Sequence, residues 1–404
     1  MNPPSPIAIT GMGAISAIGE DVAANFRSLV QSRHGIGPIT LLDTYHRDKL
    51  MVGEINITNT ELYDRLAIPR HEAYTRSTLL AMAAAREAMA MAGIDTNDDY
   101  RTGLISATTV GGMDATERYY DDYLAAETNR HFIPTHPCGY GTEQMARYLG
   151  VNGFITTIST ACSSAANAIM LGARMIRAGL LDRAIVGGTD CLSRFTINGF
   201  NSLMIYSPTH CRPFDENRDG LNLGEAAAYL VLEAPDLAAR QSKKPLAYLT
   251  GYGNANDAFH QTASSDNGEG AFLAMKTALE LAALKPSDID YINAHGTATP
   301  NNDLTEGHAL LRVFESPDAL PPFSSTKAFT GHTLAAAGAI EAIFSVLALQ
   351  HQVVFANLNC SQPIASLGIR PQTRLETKQI NHVLSNSLGF GGNSSALLFS
   401  KADD

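Results

Sequence analysis

The chain has 404 residues, 45% hydrophobic and 17% charged, with 33 Gly and a formal net charge of −11. That length and apolar content provide for a sizeable core and exclude a disordered chain. The acidic balance argues against nucleic acid as a partner. The five cysteines, Cys138, Cys162, Cys191, Cys211 and Cys360, show no CxxC or Cys/His ligand spacing, which disfavours a disulfide framework or a zinc site. Residues 1–6 carry no basic n-region, and the apolar run 333–349 is broken by Glu341, so a cytoplasmic protein with no membrane segment is expected.

In chain order, residues 7–10 read as a buried strand ending in a Gly11-Met-Gly13 turn, and residues 22–31 as a helix. Residues 78–93 form an Ala/Met-rich helix with Gly93 as its C-cap. Residues 104–108 are strand-like and run into Val110-Gly111-Gly112. A strand at 154–160 leads to a small-residue helix at 162–178, and a second strand at 183–186 ends in Gly187-Gly188. This plan recurs: strand 322–326, small-residue helix 331–349, strand 382–387, then Gly391-Gly392. Two α/β halves related by a pseudo-twofold axis are predicted, residues 1–240 and 241–404, with both Ala-rich helices buried between sheets. Such an axis would bring the two helix starts towards one cleft.

Four segments carry candidate chemistry. Thr160-Ala-Cys162-Ser-Ser164 sits where a strand becomes a helix, where N–H groups and the helix dipole favour a thiolate. A free cysteine is more often a small buried hydrophobe, and that reading is kept for the other four. Asn293-Ala-His295-Gly-Thr297-Ala-Thr299 places an imidazole and two alternate hydroxyls at a strand end. Lys327-Ala-Phe-Thr-Gly331-His332 stands in the second half where Cys162 stands in the first. Asn386-Ser-Leu-Gly389-Phe390-Gly391-Gly392-Asn393 is a Gly-rich turn that lets a backbone N–H face a ligand or lets the loop move. It lacks the GxxxxGK[ST] spacing of a phosphate loop.

Together these segments resemble the elongating β-ketoacyl-acyl-carrier-protein synthases over nearly the whole chain, supported by Arg212-Pro-Phe-Asp215, Arg218-Asp-Gly220 and Gly224-Glu225. The resemblance implies an α/β, thiolase-like, five-layered α/β/α/β/α fold and a decarboxylative Claisen condensation of an acyl-Cys with a malonyl extender. It implies a Cys162, His295, His332 site supported by Lys327, and an oxyanion hole from the Cys162 and Phe390 N–H groups. Phe390, flanked by Gly389 and Gly391, would gate acyl access. Thr297 and Thr299 would hold the pantetheine arm, and Val110 and Phe132 would line the acyl pocket. Asn293, Glu341, Ser385 and Asn386 fall where some relatives hold a structural Na⁺ or K⁺; no other cofactor is required. Implied partners are acyl- and malonyl-loaded acyl carrier protein, met by Arg70, Arg76 and Arg130, and a second subunit. That subunit is either another copy or a chain-length-factor-like protein.

The chain departs from fatty-acid elongation enzymes at 108–112, where Thr108-Thr109 replaces a more Gly-rich turn and Val110 an Ile. Further departures are the polar 135–138 segment with His136 and Cys138, Glu225-Ala-Ala-Ala-Tyr229, and a thinned basic docking segment. These favour an aryl-polyene or type II polyketide ketosynthase. A non-catalytic chain-length factor is the alternative, and the presence of Cys162, His295 and His332 argues against it. A degradative thiolase needs a second cysteine near the C-terminal Gly-rich turn, where Phe390 and Asn393 stand instead. A Cys/His hydrolase would release free acid without condensation.

Overall fold

The structure is a computed structural model and describes residues 5–402. Its first strand, Ile7–Ser16, is buried throughout and does not turn at Gly11-Met-Gly13 as expected. The helix Arg76–Ala92 lies directly on it. A Cβ on Gly11 would stand 2.2 Å from the Ala88 carbonyl oxygen, and one on Gly13 1.9 Å from that of Ala84. These glycines thus serve close strand–helix approach. The helix itself is capped by the Thr75 hydroxyl and ended by Gly93 in the left-handed region, as its sequence predicts.

Ten strands form one sheet, in the order Phe323–Ser324, Tyr291–Asn293, His382–Leu388, Asn393–Ser400, Ala247–Asn256, Ile7–Ser16, Ala226–Glu233, Arg183–Asp190, Thr102–Ala107, Ile155–Ile158. Read inwards from either edge, the two five-stranded halves share one sequence of connections. The three outer strands are parallel and the next two pair antiparallel. This is the predicted pseudo-twofold repeat. The hydrogen bonding runs on across the junction, where Ile7 to Ile9 pair with Leu249 to Ala247, so the two expected sheets are continuous.

The central helices Ser164–Arg177 and Ala337–His351 pack on one another and on strands of both halves. Every residue from Ala337 to Leu349 is buried, which is why this helix is apolar all round. By length and composition the stretch Leu334–His351 could cross a bilayer, but here it fills the core. Arg76–Ala92 covers the outer face of the first half and Glu269–Ala282 that of the second. The result is the five-layered α/β/α/β/α arrangement.

Candidate active site

Cys162 is buried at the turn between strand Ile155–Ile158 and its helix, which starts at Ser164. Ala161 before it adopts φ +52°, a strained left-handed conformation for a residue with a side chain. Positive φ recurs in or beside the other segments: Ala298 at φ +69°, Leu334, two residues after His332, at φ +52°, and Gly391, where glycine carries no such strain, at φ +81°. The backbone N–H groups of Phe390 and of Cys162 itself favour the charged form of the thiol. The expected thiolate is not the resting form. Burial pushes the thiol up to about 11, against the lowering pull of Lys327 and the two N–H groups.

His295 and His332 meet edge to face, ring centroids 5.4 Å apart. Burial and the nearby Lys327 charge hold both imidazoles well below 6.5, so they are neutral. Their tautomers follow from their partners. The Lys327 ammonium lies 3.1 Å from His295 Nδ1, and the Leu334 N–H donates to His332 Nδ1 at 3.1 Å. Both Nδ1 atoms therefore accept, and both rings carry their proton on Nε2. Lys327 is buried, donates to Glu341, and its charge acts on Cys162, His295 and His332 alike.

Two buried carboxylates that the sequence reading missed hold the histidine segment. Glu306 accepts from the His295 and Gly296 N–H groups, each at 2.8 Å. Asp303 accepts from Ala298 N–H at 3.0 Å and Phe214 N–H at 2.7 Å. The signal was present as two acids three residues apart on the apolar helix Pro300–Phe314. Thr297 and Thr299 lie just before that helix with their hydroxyls 2.9 Å apart. Asp190, also missed, accepts from both threonines of the Thr108–Gly112 turn and from Ala335 N–H beyond His332. Val110 sits in that turn. Beside the turn is a small cavity of about 20 Å³, room for a water, lined by Ser106, Thr108, Thr135, Cys138 and Thr189 among others. Phe390 stacks on Phe200, centroids 5.7 Å apart.

Asn293 Oδ1, Glu341 Oε2 and Ser385 Oγ are buried without a hydrogen-bond partner. Asn293 and Ser385 are register partners on neighbouring parallel strands, and Asn293 Nδ2 donates to the Glu341 carbonyl at 3.1 Å. Three orphaned oxygens with one carboxylate among them fit a hard monovalent cation. The Asn386 side chain does not join these three oxygens, so only its backbone could complete the expected set. Asn386 is the next residue along the strand and so faces the other side, where its amide reaches Glu306 Oε1 at 3.2 Å. Asn386 Oδ1 is also unpartnered there.

The three arginines divide. Arg70 is exposed beside Asp64 at 2.8 Å, and Arg130 is exposed near Glu127 at 4.0 Å. Arg76 is not a docking residue. It turns inward, pairs with buried Glu225 through two nitrogens at 2.6 and 2.9 Å, and donates to the Ile55 and Ile57 carbonyls. Phe132 stacks on Tyr119 and lines a groove of about 790 Å³ that none of Cys162, His295 and His332 lines.

A thiolase-like fold with a cysteine turn, a histidine pair and a Gly-rich loop defines the class of thioester-condensing enzymes. The chain belongs to the beta-ketoacyl synthase family: residues 4–238 match its N-terminal domain and residues 246–361 its C-terminal domain. It is 35% identical to 3-oxoacyl-[acyl-carrier-protein] synthase 2 of Staphylococcus aureus over 98% of both chains. It is 32% identical to the Coxiella burnetii protein of that name, over 98% of this chain and 99% of the other. Among solved structures, it is similar to the ishigamide ketosynthase/chain length factor, with 30% identity and TM-score 0.91 over 99% of this chain and 100% of that one. A ketosynthase in complex with its chain length factor from Xenorhabdus doucetiae matches at 32% identity and TM-score 0.85, over 98% of each chain.

Proposed function

We propose that this protein condenses an acyl group held on Cys162 with a malonyl thioester, releasing CO₂ and a β-ketoacyl thioester two carbons longer. The observation that carries the reading is a pair of buried neutral imidazoles in edge-to-face contact, both with Nε2 protonated, under the same Lys327 charge that acts on the Cys162 thiol. In the first step Cys162 attacks an acyl thioester, its proton leaves with the departing carrier thiol, and the Cys162 and Phe390 N–H groups hold the tetrahedral oxyanion. In the second, the malonyl carboxylate departs as CO₂. His295 and His332 donate from Nε2 to the enolate oxygen, and neutrality lets them do so without a proton changing hands. In the third, the enolate carbon attacks the acyl-Cys carbonyl, and the Cys162 thiolate leaves and takes up a proton. Lys327 fixes the His295 tautomer.

Asn293, Glu341 and Ser385 would hold a Na⁺ or K⁺, which would satisfy the three buried oxygens that have no hydrogen-bond partner. Thr297 and Thr299 would line the pantetheine channel. An acidic carrier needs local positive charge on an acidic protein, and Arg70 and Arg130 are the exposed candidates. The edge strand Ile155–Ile158, with Phe154 and Ile155 exposed beside it, offers unpaired backbone to a second subunit, another copy or a chain-length-factor-like protein. Five free cysteines suit a reducing compartment such as the cytoplasm.

The pathway reading rests on the turn at 108–112. That turn departs from fatty-acid elongation enzymes in Thr108, Thr109 and Val110, so we assign conjugated or oxygenated medium-length acyl chains. Competition between polyenoyl and saturated C12–C16 starters tests this. Preference for the saturated chains would return the protein to ordinary fatty-acid elongation.

A further inference from the structure

The side chain of Asn393 sits in no step above, yet it is the hub of a polar network beside the nucleophile. Its Oδ1 lies 2.6 Å from Ser163 Oγ, 2.9 Å from Asn167 Nδ2 and 3.0 Å from Asn254 Nδ2. Ser163 follows Cys162, Asn167 is one turn into the nucleophile helix, and Asn254 is on a strand of the second half. Asn167 also donates to Thr160 Oγ1 at 2.8 Å, so the network closes around the cysteine turn. The Asn393 backbone closes the base of the Gly-rich loop, its carbonyl accepting from Gly389 N–H at 2.8 Å. That base rests on the cysteine turn, since a Cβ on Gly389 would stand 3.0 Å from the Thr160 carbonyl oxygen. Between the two anchors, Gly391 and Gly392 both have φ +81°.

We infer that Asn393 is a positioning residue that holds the Phe390 N–H in register with Cys162 while the glycines let the rest of the loop move. This rests on the proposed acyl-Cys162 reaction. Two amide N–H groups converge on this oxygen, and the Ser163 hydroxyl, which also reaches the Thr160 carbonyl at 2.7 Å, can supply a third donor; an acceptor is needed at that place, and Asp supplies it where Leu does not.

The test measures two half-reactions on the full-length protein. The rate of Cys162 acylation by hexanoyl-N-acetylcysteamine is followed by intact mass. CO₂ release from malonyl-N-acetylcysteamine is followed on pre-acylated enzyme. Asn393→Leu should slow acylation about 100-fold, the loss of one oxyanion donor, and change CO₂ release by less than about fivefold. Asn393→Asp should restore acylation, and Ser163→Ala, which removes one donor and no loop residue, should give the same split in weaker form. Equal loss in both half-reactions, failure of Asp to restore acylation, or normal acylation in Leu and Ala variants alike would overturn the inference. No acylation of Cys162 in the unsubstituted protein would overturn the proposed function itself.

Discussion

At the scale of single residues, the Cys162 thiol is held as a thiol near neutral pH, because burial outweighs the two N–H groups and Lys327. Its alkylation by iodoacetamide should rise about tenfold per pH unit between about pH 7 and 9. A plateau by pH 7 would show a preformed thiolate instead. The histidines have the opposite shift. They stay neutral when folded, while the unfolded chain takes up protons below the ordinary 6.5. The unfolded state then binds more protons, so their contribution to stability is present above 6.5 and is lost as pH falls towards the folded values. Urea melts at about pH 7.5 and 5.5 should show a smaller drop for His332→Gln than for the parent; an equal drop would mean His332 is charged in the fold. Cys162, His295 and His332 were legible because their segments, each a weak signal alone, occur together with the Gly-rich turn in the order of the family they resemble. Glu306, Asp303 and Asp190 were not, since an acid in a helix or strand declares its partners only after folding. The same blindness let Arg76 pass for a surface cation, although Glu225 stands 149 positions away in the chain.

At the scale of elements, the repeat was the most informative sequence feature. It named two strands and the central helix of each half, but not the antiparallel strands Ala226–Glu233, Ala247–Asn256 and Asn393–Ser400 between them. Boundaries were weaker. Gly11 and Gly13 were read as a turn because glycine marks both turns and close approaches, and only the helix on top distinguishes them. Gly13→Ala should therefore destabilise the protein by about 3 kcal/mol or more, since its Cβ meets the fixed Ala84 carbonyl. A urea midpoint unchanged from the parent would contradict that packing. The start of the nucleophile helix was likewise placed too early. Cys162 lies in the strained turn before Ser164, so the helix dipole acts on it from further away than the sequence suggested.

At the scale of the whole molecule, the two halves meet through the sheet at Ile7 to Ile9, through the central helix pair and through polar contacts such as Asp190 with Ala335 and Ser163 with Asn393. The consequence is a site assembled from both, with Cys162 from the first half and His295, Lys327, His332 and Phe390 from the second. The exposed edge strand Ile155–Ile158 should pair with a second subunit. Native mass spectrometry of the chain alone and mixed with a chain-length-factor-like partner should show a dimer in one of the two samples that Ile155→Lys weakens, and a monomer at micromolar concentration in both would contradict it. Whether that subunit is a second copy is not written in one chain's sequence, because an edge strand pairs through backbone atoms that every residue carries.

The central claim is that Cys162 carries the acyl group and the two histidines drive loss of CO₂. The most direct measurement follows both on one sample, with an acyl carrier starter and carboxyl-labelled malonyl carrier. Intact mass should show the acyl adduct on Cys162, then a β-ketoacyl carrier two carbons longer, with one labelled CO₂ released per product. Cys162→Ala should abolish all of it, while His295→Ala and His332→Ala should keep part of the adduct and lose on the order of 100- to 1000-fold in CO₂ release. Free acid without chain extension, an adduct on another cysteine, or undiminished CO₂ release in both histidine variants would contradict the account.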